Sequence, residues 1–257
     1  MRTSALRPFG LEVSEIDLGT LLPERSAELA RTIATARVAV FRNQRLDDAG
    51  FVRFLKSLGE LTFTQGEIAV PGMPDLNVVS NVGRTTPPRI VFHTDTSYVA
   101  RPPAFTALRP VRLPSSGGAT LFSDQVGIAS RIPARIRTWL RGRTLRHQTT
   151  GLDGKSEACR HPLLRRHPIT GELALYLSTP ARCTQLSGVD ERTSARVIDA
   201  LYRRSTRPAT LYRHEWRPGD IVIWDNRVTM HRADHDEVAG DRILHRGMVG
   251  GERPIGA

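Results

Sequence analysis

His93 and Asp95 stand two apart in the stretch VFHTDTSY (91–98). Such a pair is either part of a metal site or the polar end of a strand. An extended chain points residues i and i+2 to the same face, so both side chains can reach one ion if the segment is a strand. A third ligand must come from elsewhere. The other histidines are at 147, 161, 167, 214, 231, 235 and 245, and His231 is best placed, because it directly follows the buried-strand run GDIVIWDNRVTM (219–230). His-x-Asp…His is a 2-His-1-carboxylate facial triad, which leaves positions open on a non-haem iron for a cosubstrate and O2. A zinc reading competes with it. His231 and His235 stand four apart, a ligand pair if they lie on a helix, but no HExxH surrounds them. The tract RADHDEVAGD (232–241) also reads as a solvated hairpin tip. Spacing places iron ahead of zinc without deciding between them.

The elements that must position these residues are mostly short strands. After residue 91, apolar runs such as PAFTALRP, ATLFSD, ELALYLS, DIVIWDN and RILHRGMVGG are separated by Pro and Gly, a pattern that argues a sandwich or barrel. The spacing predicts helices over 21–36 and over LDDAGFVRFLKSLGEL (46–61). The second has an Asp cap, an apolar face of Phe51, Phe54, Leu55 and Leu58, and Gly59 as its stop. RVAVFRN between them reads as a short buried strand. Further helices are expected near 131–141 and 190–204, where Val197, Ile198, Leu201 and Tyr202 cluster. Residues 61–90, rich in Gly, Pro and polar groups around one apolar patch, DLNVVSN, read as a short strand inside a long mobile connection of the kind that forms a lid. No internal repeat or linker divides the chain, so 1–257 is treated as one domain.

Composition limits the partners. Lys+Arg 37 against Asp+Glu 26 gives a net charge of +11, and only Lys56 and Lys155 among the cations are lysines. Arginine suits bidentate contacts to carboxylate, sulfonate or phosphate. A basic surface also fits nucleic acid. Yet in RIPARIRTWLRGRTLRHQ (131–148), Ile132, Ile136, Trp139 and Leu140 recur at helical spacing, so the arginines read as the solvated face of a core-packed helix. There is no apolar run of membrane length and no signal-peptide core. Cys159 and Cys183 make no metal or disulfide pattern, which suits a reducing cytoplasm and a packing role for both thiols.

The blocks HTDTSYVARPPAFTALRPVRLPSSGGATLFSD (93–124), HPLLRRHPITGELALYLS (161–178) and WRPGDIVIWDNRVTMHRADHDEVAGDRILHRGMVGGERP (216–254), in this order, closely resemble the TauD/TfdA family of Fe(II)/2-oxoglutarate oxygenases. The resemblance implies a double-stranded β-helix (jelly roll, cupin-like) fold, mainly β with flanking helices. It implies a dioxygenase using Fe(II), 2-oxoglutarate and O2, with His93, Asp95 and His231 as iron ligands. It implies that Arg242 clamps the distal carboxylate of 2-oxoglutarate with help from the Thr120 hydroxyl, and that Arg246 meets an anionic group of the primary substrate. Four residues apart, Arg242 and Arg246 share a side if their segment is extended. Tyr98, residues 61–90 and the segment after 150 are expected to shape the pocket. Halogenating relatives lack the carboxylate, so Asp95 argues for oxidation, most simply hydroxylation. Taurine-oxidising members use a histidine upstream of the His-x-Asp pair, and this chain has no histidine before His93. Other small sulfonates, alkyl sulfates, carboxylates, phosphonates or a biosynthetic intermediate are the expected substrates. The rival readings are a non-catalytic jelly-roll binding protein and a basic nucleic-acid binder. Assembly into a homo-oligomer is left open.

Overall fold

A computed structural model describes residues 1–64, 66–83, 91–150 and 157–257. Among these residues the main sheet has the strand order Arg2–Ala5, Leu11–Ser14, Val38–Phe41, Ile221–Asp225, Phe105–Arg112, Ile243–Val249, Met73–Ser80 and Ala69–Val70, with Leu61–Thr62 also pairing with Ile243–Val249. A second sheet holds Leu211–His214, Thr120–Asp124 and Thr229–Ala233 in that order, all antiparallel. The two sheets make the jelly roll. Strands from both ends of the chain interleave in the main sheet, so the site can draw on residues far apart in sequence.

The central strands read as unbroken apolar runs because both of their faces are covered. In Ile221–Asp225, Ile221 and Ile223 pack toward the helices, while Val222 and Trp224 face the second sheet. In Val38–Phe41, Ala39 and Phe41 take the first side and Val38 and Val40 the second. Phe122, Tyr212, Leu108 and Leu244 complete the layer between the sheets. The outer layer is helices α1 (Ser26–Ala36) and α2 (Asp48–Leu58). Asp47 caps α2 by accepting from the Gly50 amide at 2.7 Å, and the chain leaves it at Gly59 with φ +150°. Phe51, Phe54 and Leu55 are fully buried on the sheet, each contributing about 1.5–3 kcal/mol. A third cluster joins α3 (Gln125–Ser130), α4 (Ala134–Leu140) and α5 (Glu191–Ser205) to the strands between 144 and 186. Ile198 and Leu201 of α5 are buried there, as is Cys183, a free thiol in a packing role. No helix of the described residues is long and apolar enough to cross a membrane.

Three expectations are corrected. The first helix begins at Ser26, because Pro23 opens a 3-10 turn over Pro23–Arg25 instead. The basic helix starts only after Pro133. Ile132 and Leu140 are buried, but Ile136 and Trp139 are each 40% exposed, so its apolar face is only half packed. The strand expected at DLNVVSN is present as Met73–Ser80, but it is an internal strand of the main sheet and not part of a free connection, since it is bonded to Ile243–Val249 on one side and Ala69–Val70 on the other. The rest of the expected lid, residues 65 and 84–90, lies outside the described residues, as do 151–156 of the segment expected to shape the pocket.

Candidate active site

His93 lies on no strand. It forms a single antiparallel bridge with His231, each amide donating to the other's carbonyl at 3.0 Å. The chain then turns through residues 95–98, with Thr96 at φ +46°. One bridge and one turn, not strand alternation, bring the His-x-Asp pair to His231. The side chain of Asn226, in the tight link between the Ile221–Asp225 and Thr229–Ala233 strands, clamps that turn. Its Oδ1 accepts from the Asp95 amide at 2.9 Å, and its Nδ2 donates to the Asp95 and Pro103 carbonyls at 3.1 Å. Thr94 adds an anchor by donating to the Leu177 carbonyl at 2.7 Å.

The three ligand atoms of His93, Asp95 and His231 lie within 4.8 Å of one another, and all three residues are buried. His93 Nε2 is 3.6 Å from Asp95 Oδ1, and His231 Nε2 is 3.7 Å from Asp95 Oδ2. These gaps are too long for hydrogen bonds, and the three residues together could hold a metal ion. His93 Nδ1 is 2.9 Å from the Val91 carbonyl, so that nitrogen carries the proton and Nε2 presents a lone pair inward. Asp95 Oδ2 is buried and accepts no hydrogen bond among the described residues. Burial alone would raise the Asp95 pKa, but the charges of His231 and Arg246 and the contact with His93 outweigh it, holding the carboxyl well below the usual range. Two imidazoles and an ionised carboxylate with an orphaned oxygen are a donor set that fits a divalent iron. The His231 ring sits between His93 and Trp224, each centroid 4.4 Å away, with Phe122 stacked at 6.4 Å. His235 falls beyond the Thr229–Ala233 strand and on no helix. Among the described residues the metal-capable group is the His93, Asp95 and His231 cluster, so the zinc pair has no structural basis.

Arg242 lies just before the Ile243–Val249 strand, its amide fixed by Asn81 Oδ1 at 2.8 Å. Its Nε donates to the Gly118 carbonyl at 2.7 Å and its Nη2 to Thr120 Oγ1 at 3.1 Å. Nη1 is buried with no hydrogen-bond partner among the described residues. The residue is 1% exposed and makes no ion pair among the described residues, and burial pushes its pKa down to about 10. Gly118 is required here: its φ is +76°, and a Cβ would lie 3.0 Å from the Arg242 Cδ. A buried guanidinium with a spare donor and no anion is built to receive one, and a dicarboxylate cosubstrate fits.

Arg246 differs. It is buried four residues further along, past a register shift between Ile243 and Leu244. Its counter-ions are already present: Nη1 donates to Asp95 Oδ1 at 3.2 Å, Nη2 reaches Asn77 Oδ1 at 3.4 Å, and Glu67 lies 3.6 Å away. Asp220 and Asp225, the partners that charge alone suggests, are engaged elsewhere, Asp220 with Arg42 and His214, Asp225 with Arg227 and His167. Tyr98 is buried in the turn after Asp95, with the Arg182 guanidinium 5.3 Å from its ring centre. Sequence reading missed Asn226, Gly118 and Asn81. Only the "WDN" after a buried strand and the paired glycines of "GGAT" hinted at the first two.

A β-sandwich with a buried His, Asp, His cluster that can hold iron, and a buried arginine without an ion pair among the described residues, suits a class of oxygenases, and comparison with known proteins places the chain within it. Residues 2–248 match the model of the taurine catabolism dioxygenase TauD, TfdA family. An α-ketoglutarate-dependent sulfate ester dioxygenase of Pseudomonas putida is 28% identical over 275 residues, 96% of this chain and 88% of the relative. A 2,4-dichlorophenoxyacetate dioxygenase of Burkholderia sp. (strain RASC) is 26% identical over 91% of this chain and 89% of its own length. The crystal structure of a taurine dioxygenase from Burkholderia xenovorans superposes with a TM-score of 0.86 at 30% identity, covering 99% of this chain and 92% of that one. The chain belongs to the TauD, TfdA family. It is a 2-oxoglutarate-dependent dioxygenase using Fe(II) and O2, acting on a small molecule.

Proposed function

We propose that His93, Asp95 and His231 hold the Fe(II), that Arg242 and Thr120 bind the distal carboxylate of 2-oxoglutarate, and that the primary substrate is a small organic anion passing Tyr98 and Arg246. The observation that carries this reading is Arg242, a fully buried cation that has, among the described residues, a spare donor and no anionic partner. Bound at the triad, iron supplies the O2 activation that couples decarboxylation of 2-oxoglutarate, to succinate and CO2, to oxidation of a substrate C–H bond. The chain's own work is positional. The Val91 carbonyl sets the His93 tautomer, Asn226 fixes the Asp95 backbone, and Arg246 occupies Oδ1 of Asp95 while Oδ2 remains for the metal. Phe122 and Trp224 line the triad with apolar surface that keeps bulk water away.

Relatives named for 2,4-dichlorophenoxyacetate, sulfonates and sulfate esters all act on organic anions, which supports the substrate class. An anion arriving at Arg246 replaces its looser contact, Glu67 at 3.6 Å, while Asp95 keeps Nη1. The test is a panel of sulfonates, alkyl sulfates, carboxylates and phosphonates given to the Fe(II)-loaded enzyme with 2-oxoglutarate, reading succinate. Turnover should respond to an anion and not to its amide or ester, and Arg246→Gln should lose most of that preference. If both enzymes discriminate equally, the substrate's charge is read elsewhere.

A further inference from the structure

We infer that Trp216 is a positioning residue for the cosubstrate, acting through the Thr120 hydroxyl. The inference rests on the reading of Arg242 and Thr120 as the 2-oxoglutarate clamp. A threonine hydroxyl has one proton to donate and two lone pairs that accept. In this structure both lone pairs are used: Arg242 Nη2 donates to Thr120 Oγ1 at 3.1 Å, and Trp216 Nε1 donates to it at 3.0 Å. Neither partner can accept, since guanidinium and indole N–H groups only donate. The Thr120 proton is therefore forced away from both and is left for a third group. Thr120 is 1% exposed, so that group is not bulk water. Beside it, Arg242 Nη1 is the other unspent donor. The two form a matched pair of donors for one carboxylate, and Trp216 fixes the direction of the second.

Trp216 is itself held in place. It lies beyond the Leu211–His214 strand, whose His214 pairs with Thr120 across the sheet. Its ring meets that of His214 edge-on, with centroids 4.6 Å apart at 89°. His214 in turn is held at Nδ1 by the Tyr212 hydroxyl at 3.2 Å, and its Nε2 packs 3.1 Å from Asp220 Oδ2 without hydrogen-bond geometry. Asp220 is anchored by Arg42 at 2.7 Å and by the Arg217 amide at 2.9 Å. A chain of packed polar groups thus runs from the outer strands to the clamp and ends on a hydroxyl whose proton can point one way.

The test is calorimetric binding of N-oxalylglycine, a non-reacting analogue of 2-oxoglutarate, to the full-length Mn(II)-loaded protein. Trp216→Phe should weaken binding about five- to twentyfold, the loss expected for a misdirected hydrogen bond to an anion. In a Thr120→Val background the same change should have almost no effect, whereas in Thr120→Ser it should keep its effect. Equal losses in the Thr and Val backgrounds would show a merely structural role and overturn the inference. A second reading leaves Trp216 unchanged and decides the matter if the Phe variant fails to fold. In 15N-labelled, Zn(II)-loaded protein, N-oxalylglycine should shift the Trp216 indole N–H resonance in wild type and not in Thr120→Val. No shift in wild type also overturns the inference. Arg242→Ala separates the two layers: undiminished binding there removes the clamp itself, while lost binding without Trp216–Thr120 coupling removes only the role of Trp216.

Discussion

Replacing Arg242 with Leu should leave the cosubstrate-free protein at least as stable as wild type while destroying its response to cosubstrate. The guanidinium is buried without an anion, and its pKa falls from the ordinary arginine value to about 10. A drop of that size corresponds to about 3 kcal/mol against the charged, folded form. The sign is fixed: the folded value lies below the unfolded one, so the penalty is present throughout the pH range below about 10 and fades only above it. Leu removes the penalty but strips the Gly118 carbonyl of its donor, a loss of about 1–3 kcal/mol. Thr120 keeps the bond from Trp216. The difference is between zero and about 2 kcal/mol in favour of the variant. Wild type recovers the deficit on binding, since a ligand at a hundredfold excess over its Kd adds about 2.7 kcal/mol. Guanidinium denaturation of Mn(II)-loaded protein, with and without N-oxalylglycine, measures both quantities, and an unchanged m value secures the comparison. A variant more than 1 kcal/mol less stable than wild type without ligand, yet stabilised fully by it, would refute the reasoning.

Asn226→Ala should weaken Mn(II) binding about ten- to a hundredfold in a calorimetric titration, because the Asp95 turn loses the side chain that holds it from both sides; an unchanged affinity contradicts this. Gly118→Ala should weaken N-oxalylglycine binding about tenfold and leave metal affinity intact, since its Cβ would displace Arg242 at 3.0 Å; equal losses of both would point to general unfolding. Asp225→Asn should cost about 2 kcal/mol at neutral pH. Burial alone would raise the Asp225 pKa, but the Arg227 charge and its hydrogen bonds, together with His167, bring it down to about 2. That contribution is present above the ordinary carboxylate value and lost as pH falls through about 2, so the gap between variant and wild type in denaturation midpoint should close over that range; a gap independent of pH would exclude the ion pair as its cause.

The reaction class was legible in the sequence because the proposed ligands and clamp are particular residue types at fixed spacings, carried by "HTD", "GGAT" and "RILHR" within blocks that resemble the family. The geometry was less so. An i, i+2 pair predicts a strand, but the His-x-Asp segment reaches His231 through one bridge and a turn that Asn226 stabilises from 131 residues away, a contact with no local signature. Arg242 and Arg246 look equivalent as letters. Only tertiary placement shows that one lacks a counter-ion among the described residues and the other is held by Asp95 and Glu67. DLNVVSN showed the strand Met73–Ser80 but not its place inside the main sheet, because its partner Ile243–Val249 is distant in sequence. The half-exposed face of α4 escaped notice because periodicity reveals an apolar stripe but not what covers it.

The most direct test of the central claim is succinate release from 2-oxoglutarate by the Fe(II)-loaded protein and its His231→Ala variant, assayed with and without O2 and with the most active anion of the panel. The account predicts oxygen-dependent succinate from wild type and none from the variant, whose far-UV spectrum and unfolding transition remain those of a folded protein. Undiminished succinate from the folded variant would contradict it.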